Sequence, residues 1–215
     1  MIARYDIIQN TPEWFEARWA KIGGSIAKGL FIKSDTLMLD VLAEYTEQYQ
    51  LTDNYSSPAM ERGNELEPEA LYSLIQYTGI HFNTVGWLQS VDVPLLGISP
   101  DGISEDETIA CELKCPGAKK HLVTCLEDEI PLDHLAQCVH YFTVNPKLVK
   151  LYFVSYRPEA MKPLFVKELL RTDEVNLGTR SKPIIKSVQE WVEIAKAEAI
   201  LINKQINEAV TKLSF

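Results

Sequence analysis

A mixed α/β fold of the α+β kind, with a central and mainly antiparallel sheet flanked by helices, is what the sequence predicts. Three observations carry that expectation. The first part is punctuated by helix start and stop signals. The middle changes to short apolar runs between turn residues. The end is one long amphipathic stretch.

Thr11-Pro12-Glu13-Trp14 reads as a helix start, with Thr11 as N-cap and Pro12 in the first turn. This helix is expected to reach Lys21 and to stop at Gly23-Gly24. Ser25 can cap a second short helix, and a third covers Asp35 to Gln50. A polar loop follows from Thr52 to Ser57. Pro58 to Thr78 reads as helix with Gly79 at C′. Pro68 within it predicts a kink or a restart. Ile80 to Val91, Leu95 to Ser99 and Thr108 to Lys114 read as strands, with turns at Asp92-Val93-Pro94 and Ser104 to Glu107. Pro131 to Val144 reads as helix, and Leu148 to Tyr156 and Leu164 to Leu170 as two further strands. Thr172 to Lys186 reads as irregular. Ser187 and Glu190 form a capping box for the last helix. Its Val188, Trp191, Val192, Ala195, Ala199, Ile202 and Ile206 make one apolar stripe. No repeat or Gly/Ser linker divides the chain, so residues 1–215 are expected to form one domain.

With 46% hydrophobic and 24% charged residues the chain can bury a core, which excludes disordered and fibrous classes. No apolar run approaches the ~18 residues of a membrane span, and the first ten residues lack a secretory pattern. The four cysteines form no C-x-x-C pair and read as reduced thiols of a cytoplasmic protein. A formal charge of −9 argues against a protein that coats nucleic acid with a basic surface. It leaves open an enzyme that grips nucleic acid at one place through metal ions.

The chemistry concentrates in Ser99-Pro100-Asp101-Gly102 and, nine residues on, Glu112-Leu113-Lys114. If Thr108 to Lys114 is a strand, Ala110, Glu112 and Lys114 share one face, and apolar Ile109, Cys111 and Leu113 the other. Glu112 and Lys114 then lie roughly 7 Å apart at Cα. The turn brings Asp101 back beside them. Two convergent carboxylates suit Mg²⁺ or Mn²⁺. An adjacent ammonium can orient water or offset transition-state charge. Metal-assisted phosphodiester hydrolysis fits these residue types. The same spacing also describes a solvated hairpin whose ion pairs contribute little.

Four blocks in order resemble the lambda-type phage exonucleases, or YqaJ-like viral recombinases, of the PD-(D/E)xK nuclease superfamily. They are Trp14-Phe15-Glu16-Ala17-Arg18 through Ile22-Gly23-Gly24-Ser25, Arg62 to Ala70, Ser99-Pro100-Asp101-Gly102 with Glu112-Leu113-Lys114-Cys115-Pro116, and Leu135-Ala136-Gln137. The resemblance implies a restriction-endonuclease-like core. It implies that Asp101, Glu112 and Glu67 bind metal with the carbonyl of Leu113, and that Lys114 is the catalytic lysine. Arg18 and Ser25 would hold a DNA 5′ phosphate, Trp14 would lie near DNA, and Gln137 near the active site. It further implies a Mg²⁺-dependent 5′-to-3′ exonuclease on linear duplex DNA, with a pair of ions, a toroidal homotrimer and a single-strand annealing partner.

Each residue also has a plainer reading. Glu67 can serve as a helix-start carboxylate beside Pro68, although it shares a stripe with Gly63, Ala70, Leu71 and Leu74. Arg18 can be an ordinary helix residue, Trp14 core, and Gln137 a surface amide beside His134 and Tyr141. The family's second helix Gln falls on Val139, with His140 next to it, which reads as a core or surface histidine. Lys33 is a weak candidate for a second phosphate contact, and Cys115 reads as structural. An endonuclease or repair nuclease of the same superfamily, and a non-catalytic DNA-end-binding scaffold, are the alternatives.

Overall fold

The computed structural model describes residues 1–49 and 57–213. Strand β1 (Ile2–Tyr5) leads into α1 (Pro12–Arg18), α2 (Lys28–Ile32), α3 (Leu37–Thr46) and α4 (Pro58–Thr78). Then come β2 (Trp87–Ser90), β3 (Gly97–Ile98), β4 (Gly102–Ile103), β5 (Ile109–Lys114), α5 (Ala118–Glu127) and α6 (Leu132–Val144). The chain continues through β6 (Lys150–Tyr156), β7 (Leu164–Leu170), β8 (Glu174–Asn176) and β9 (Ile185–Ser187) to α7 (Val188–Leu213).

The expected α/β class is what forms. Hydrogen bonding divides the strands into a β1-β2-β3 sheet, a β4-β5-β6-β7 sheet and a β8-β9 pair. All pairings are antiparallel except β5 with β6, which run parallel from Ile109↔Lys150 to Lys114↔Ser155. A parallel pair needs a long crossover, and α5 and α6 supply it.

Both faces of β5 are covered. Ala110 belongs to the large core with α6, β6 and α7, whereas Cys111 and Leu113 join a smaller core with Ala70 and Leu74 of α4. The anticipated stripe of α7 is buried at every position, and its capping box forms: Ser187 N donates to Glu190 Oε2 at 2.8 Å, and Glu190 N to Ser187 Oγ at 3.2 Å.

Helix α4 ends as anticipated at Gly79, whose φ of 70° an L side chain would find costly. Pro68 neither breaks nor restarts it. Its missing N–H costs one backbone bond, and α4 stays seated on β5, β6 and β7. Helix α3 is shorter than expected. Gln50 and most of the loop placed at Thr52 to Ser57 fall outside the described residues. Ser25 caps nothing: α2 begins at Lys28 with Ala27 as N-cap, and Ser25 lies exposed in the preceding turn. Of the long strand expected from Ile80 to Val91, only Trp87–Ser90 pairs as a strand. Asn83 makes a single bridge to Ile103, because no partner strand lies beside the rest. Thr172 to Lys186 holds two three-residue strands rather than irregular chain alone.

His140 ties these parts together from the buried side of α6. Its Nε2–H donates to Ile22 O at 3.1 Å and Gly97 O at 3.0 Å, spanning the Ile22↔Leu96 bridge, while buried Nδ1 has no hydrogen-bond partner among the described residues. Burial pushes this imidazole down to about 4, against the two carbonyl bonds that favour its charged form.

The unfolded chain therefore takes up a proton between pH ~6.5 and ~4 that the folded chain refuses. His140 costs stability progressively as pH falls through that window, to a total of about 3 kcal/mol. Urea unfolding at pH 7 and 4.5, compared between the native chain and His140→Gln, should show a steeper loss in the native chain. Equal losses would contradict a neutral buried His140.

Candidate active site

The register of β4 on β5, Gly102↔Cys111 and Ile103↔Ala110, places Asp101 opposite Glu112 and Pro100 opposite Leu113 if continued. Pro100 has no N–H to give. Its carbonyl accepts from Gln9 Nε2 at 3.0 Å, and the Leu113 N–H goes to Asp101 Oδ2 at 2.6 Å, so a side chain ends the ladder where a backbone would have extended it. In a strand the N–H and C=O of one residue point the same way. The Leu113 carbonyl thus points to the Asp101 side, where Pro100 cannot donate to it.

Glu112 is 1% exposed on the α6 face of β5. Its Oε2 accepts the Tyr141 hydroxyl at 2.6 Å, and its Oε1 makes a close ion pair with Lys114 and no further hydrogen bond. Glu67, one turn before Ala70 on the inward stripe of α4, completes the group. Burial and then the charge of Glu112 raise the Glu67 pKa, and Lys114 partly offsets this. Asp101 is raised well above the usual carboxylate range, first by burial and then by Glu112, with Lys114 and the Leu113 N–H opposing. For Lys114, burial disfavours the ammonium, but Glu112 and Asp101 outweigh it and the pKa rises.

Asp101, Glu112 and Lys114 are therefore brought together, as the motif spacing led us to expect, and Glu67 joins them, as the resemblance implied. Three carboxylates share one ammonium, and the raised Glu67 and Asp101 mark a repulsion that a proton or a cation would relieve. The donors are hard oxygens with Leu113 O beside them, which fits Mg²⁺ or Mn²⁺. As the side chains stand, no three His, Cys, Asp or Glu groups among the described residues are closed to ion-binding distance, with Lys114 paired to Glu112.

The second cluster lies across the Gly23-Gly24 turn. Trp14 is buried, and its Nε1–H reaches Gly86 O and Ser99 Oγ, both at 2.8 Å. It acts on the site by fixing Ser99, two residues from Asp101, and by carrying Arg18. The Arg18 guanidinium lies 3.9 Å from the Trp14 ring centroid and 5.9 Å from that of Trp87. It makes no hydrogen bond or ion pair among the described residues, and burial lowers its pKa despite Glu44. Gln137 packs on the same turn: a Cβ on Gly24 would stand 2.8 Å from Gln137 Cγ. Ser25 is exposed there, whereas Lys33 sits at the C-cap of α2. Cys115 is pushed up to about 11 by burial and by Glu67, which keeps it a thiol.

Helix α5 was not anticipated. Its inward positions include polar His121 and Thr124, which hide the apolar period. His121 is buried between Ser155 Oγ, 2.8 Å from Nδ1, and Lys162 O, 2.7 Å from Nε2, and so docks α5 on β6. Tyr141 and His134 were seen only as companions of Gln137. All three lie on the α6 face turned to β5, and Tyr141 was discoverable as the one phenol on that stripe.

This architecture is shared with solved exonucleases. LHK-Exo in complex with dAMP matches with a TM-score of 0.74 at 22% identity, over 94% of this chain and 96% of that one. The alkaline exonuclease LHK-Exo from Laribacter hongkongensis matches at 0.73 and 23%, over 95% and 98%. A phage related exonuclease from Haemophilus somnus 129PT matches at 0.56 and 10%, over 90% and 96%. At such identities the likeness is one of fold. No curated protein matches the chain significantly. The chain belongs to the YqaJ-like viral recombinase family, whose domain matches residues 13–147. Among the described residues no helix is long and apolar enough to cross a membrane.

Without metal, Asp101→Asn removes a repelled buried charge and should stabilise the chain by about 0.5–2 kcal/mol, the usual trade at strained functional groups. Tyr141→Phe strips Glu112 of its hydroxyl donor and should destabilise it by about 1–3 kcal/mol. Chemical denaturation in EDTA checks both signs. A destabilised Asp101→Asn would contradict the repulsion.

Proposed function

We propose that this chain is a divalent-metal-dependent nuclease that degrades one strand of linear duplex DNA from its 5′ ends and leaves 3′ single-stranded tails. The observation that carries this reading is the meeting of Asp101, Glu112 and Glu67 around Lys114, beside a Leu113 carbonyl that Pro100 cannot engage. Family membership and the structural neighbours, all exonucleases, support it.

Asp101, Glu112, Glu67 and Leu113 O would hold Mg²⁺, or Mn²⁺ in its place, as one ion or a pair. The bound metal supplies charge neutralisation at the scissile phosphate and lowers the pKa of attacking water. Asp101, anchored by the Leu113 N–H, fixes one carboxylate oxygen and leaves the other free. Tyr141 fixes Oε2 of Glu112, whose Oε1 is paired with Lys114. Lys114 presents an ammonium that orients water and offsets charge on the phosphorane-like transition state. Arg18, held over the Trp14 ring with no hydrogen bond or ion pair among the described residues, grips a terminal 5′ phosphate together with Ser25. Gln137 packs the turn that carries Ser25. The ring-shaped homotrimer and the single-strand annealing partner implied by the resemblance belong to the same reading. Sedimentation of the purified chain tests the first.

Linear duplex with 5′ phosphates should be degraded with Mg²⁺ and not with EDTA, and closed circles should resist. Lys114→Ala should lose at least about 10²-fold in kcat, and because it leaves buried Glu112 without its ammonium it should also lower the Tm. Arg18→Ala should raise KM for 5′-phosphorylated ends more than for 5′-hydroxyl ends. Mg²⁺ at about 100 times its Kd should stabilise the native chain by about 2.7 kcal/mol and Asp101→Asn much less. Rapid cutting of circles would favour an endonuclease. End binding without products, Mg²⁺ present or absent, would favour a scaffold.

A further inference from the structure

A cavity of about 530 Å³ opens beside Lys114, between α5, the start of α6 and β6. It falls within the roughly 300–1,000 Å³ of small-ligand pockets. Its wall contains an aromatic platform: the His134 imidazole is stacked on buried Phe153, centroids 5.8 Å apart and planes inclined by 26°. Val123 of α5 also lines it. The rim carries cations, and their use differs. Lys120 faces Asp133 at 3.4 Å and Arg180 faces Glu127 at 2.8 Å, whereas Lys119 makes no hydrogen bond or ion pair among the described residues.

A flat apolar-backed ring, an unpaired lysine and direct access to the candidate active centre together describe a nucleotide site rather than a lipid or peptide groove. We propose that this cavity takes the base of a nucleotide flanking the scissile phosphodiester, stacked against His134, with Lys119 beside the adjoining backbone phosphate. The proposal rests on the nuclease reading for its placement in the reaction. The cavity itself does not depend on that reading. Base stacking is sequence-tolerant because every base offers a flat face, so the subsite would hold the strand without selecting its sequence. His121, bonded to Ser155 and Lys162 O, keeps α5 and so the far wall in place.

Binding of dAMP and of 2-deoxyribose 5-phosphate to the whole chain, followed by calorimetry in EDTA, separates base from phosphate. dAMP should bind about tenfold more tightly. His134→Ala, which removes the platform, and Val123→Trp, which fills the cavity, should each erase that difference and leave deoxyribose phosphate binding unchanged. In a second arm, duplexes carry one abasic residue at each of the first three positions from the 5′ end. One position should slow the native chain about tenfold and add no penalty in His134→Ala. Equal binding of dAMP and deoxyribose phosphate overturns the subsite. So does cleavage that ignores every abasic position, and this second result leaves the nuclease reading standing. Base-dependent dAMP binding lost in both variants, in a chain that cuts nothing, supports the cavity and overturns the nuclease reading.

Discussion

A carboxylate at the centre of a strand covered on both faces is the constraint around which this structure is arranged. Glu112 has neighbours on every side, and a charge so placed is costly unless the fold supplies partners. Tyr141 comes from α6, Lys114 from two residues further along the same strand, and the negative neighbours Asp101 and Glu67 from β4 and α4. Helices α4 and α6, on opposite faces of β5, therefore each also deliver a polar group to one point. The parallel β5-β6 pair makes this possible, because its long crossover brings α6 back over the face that carries Glu112.

The candidate metal cluster and the Arg18 turn are joined mechanically rather than through a shared ligand. Trp14 bonds Ser99 on the approach to Asp101 while its ring carries Arg18. His140 bonds the backbone on both sides of the same junction, at Ile22 and Gly97. Gln137 fills the gap that Gly24 leaves. A nuclease working from chain ends needs a fixed distance between the group that holds the end and the group that cuts. In the proposed reading, these three side chains set that distance.

Much of this was legible in the sequence because it depends on local pattern. The α7 stripe, its capping box, the Gly79 stop and the face-sorting of β5 follow from periods of 3.6 and 2 and from backbone rules. The convergence of Asp101 with Glu112 follows from a short turn. What could not be read depends on partners distant in the chain. The strand from Ile80 failed for lack of a neighbour, β1 is recognisable only once β2 lies beside it, and α5 turns polar residues inward because His121 finds Ser155 and Lys162 O. The cap assigned to Ser25 failed since a turn closed by Ile26 N to Gly23 O comes first and α2 begins only at Lys28.

Pro100 matters for what it withholds. Any other residue there would carry an amide hydrogen facing Leu113, and the two strands could zip one step further. The sheet would be more regular, and the carbonyl beside the acidic cluster would be consumed by its own scaffold. An imino acid at that point is a built-in stop with no amide hydrogen to offer the Leu113 carbonyl, so the most rigid residue in the motif leaves that edge of the strand open.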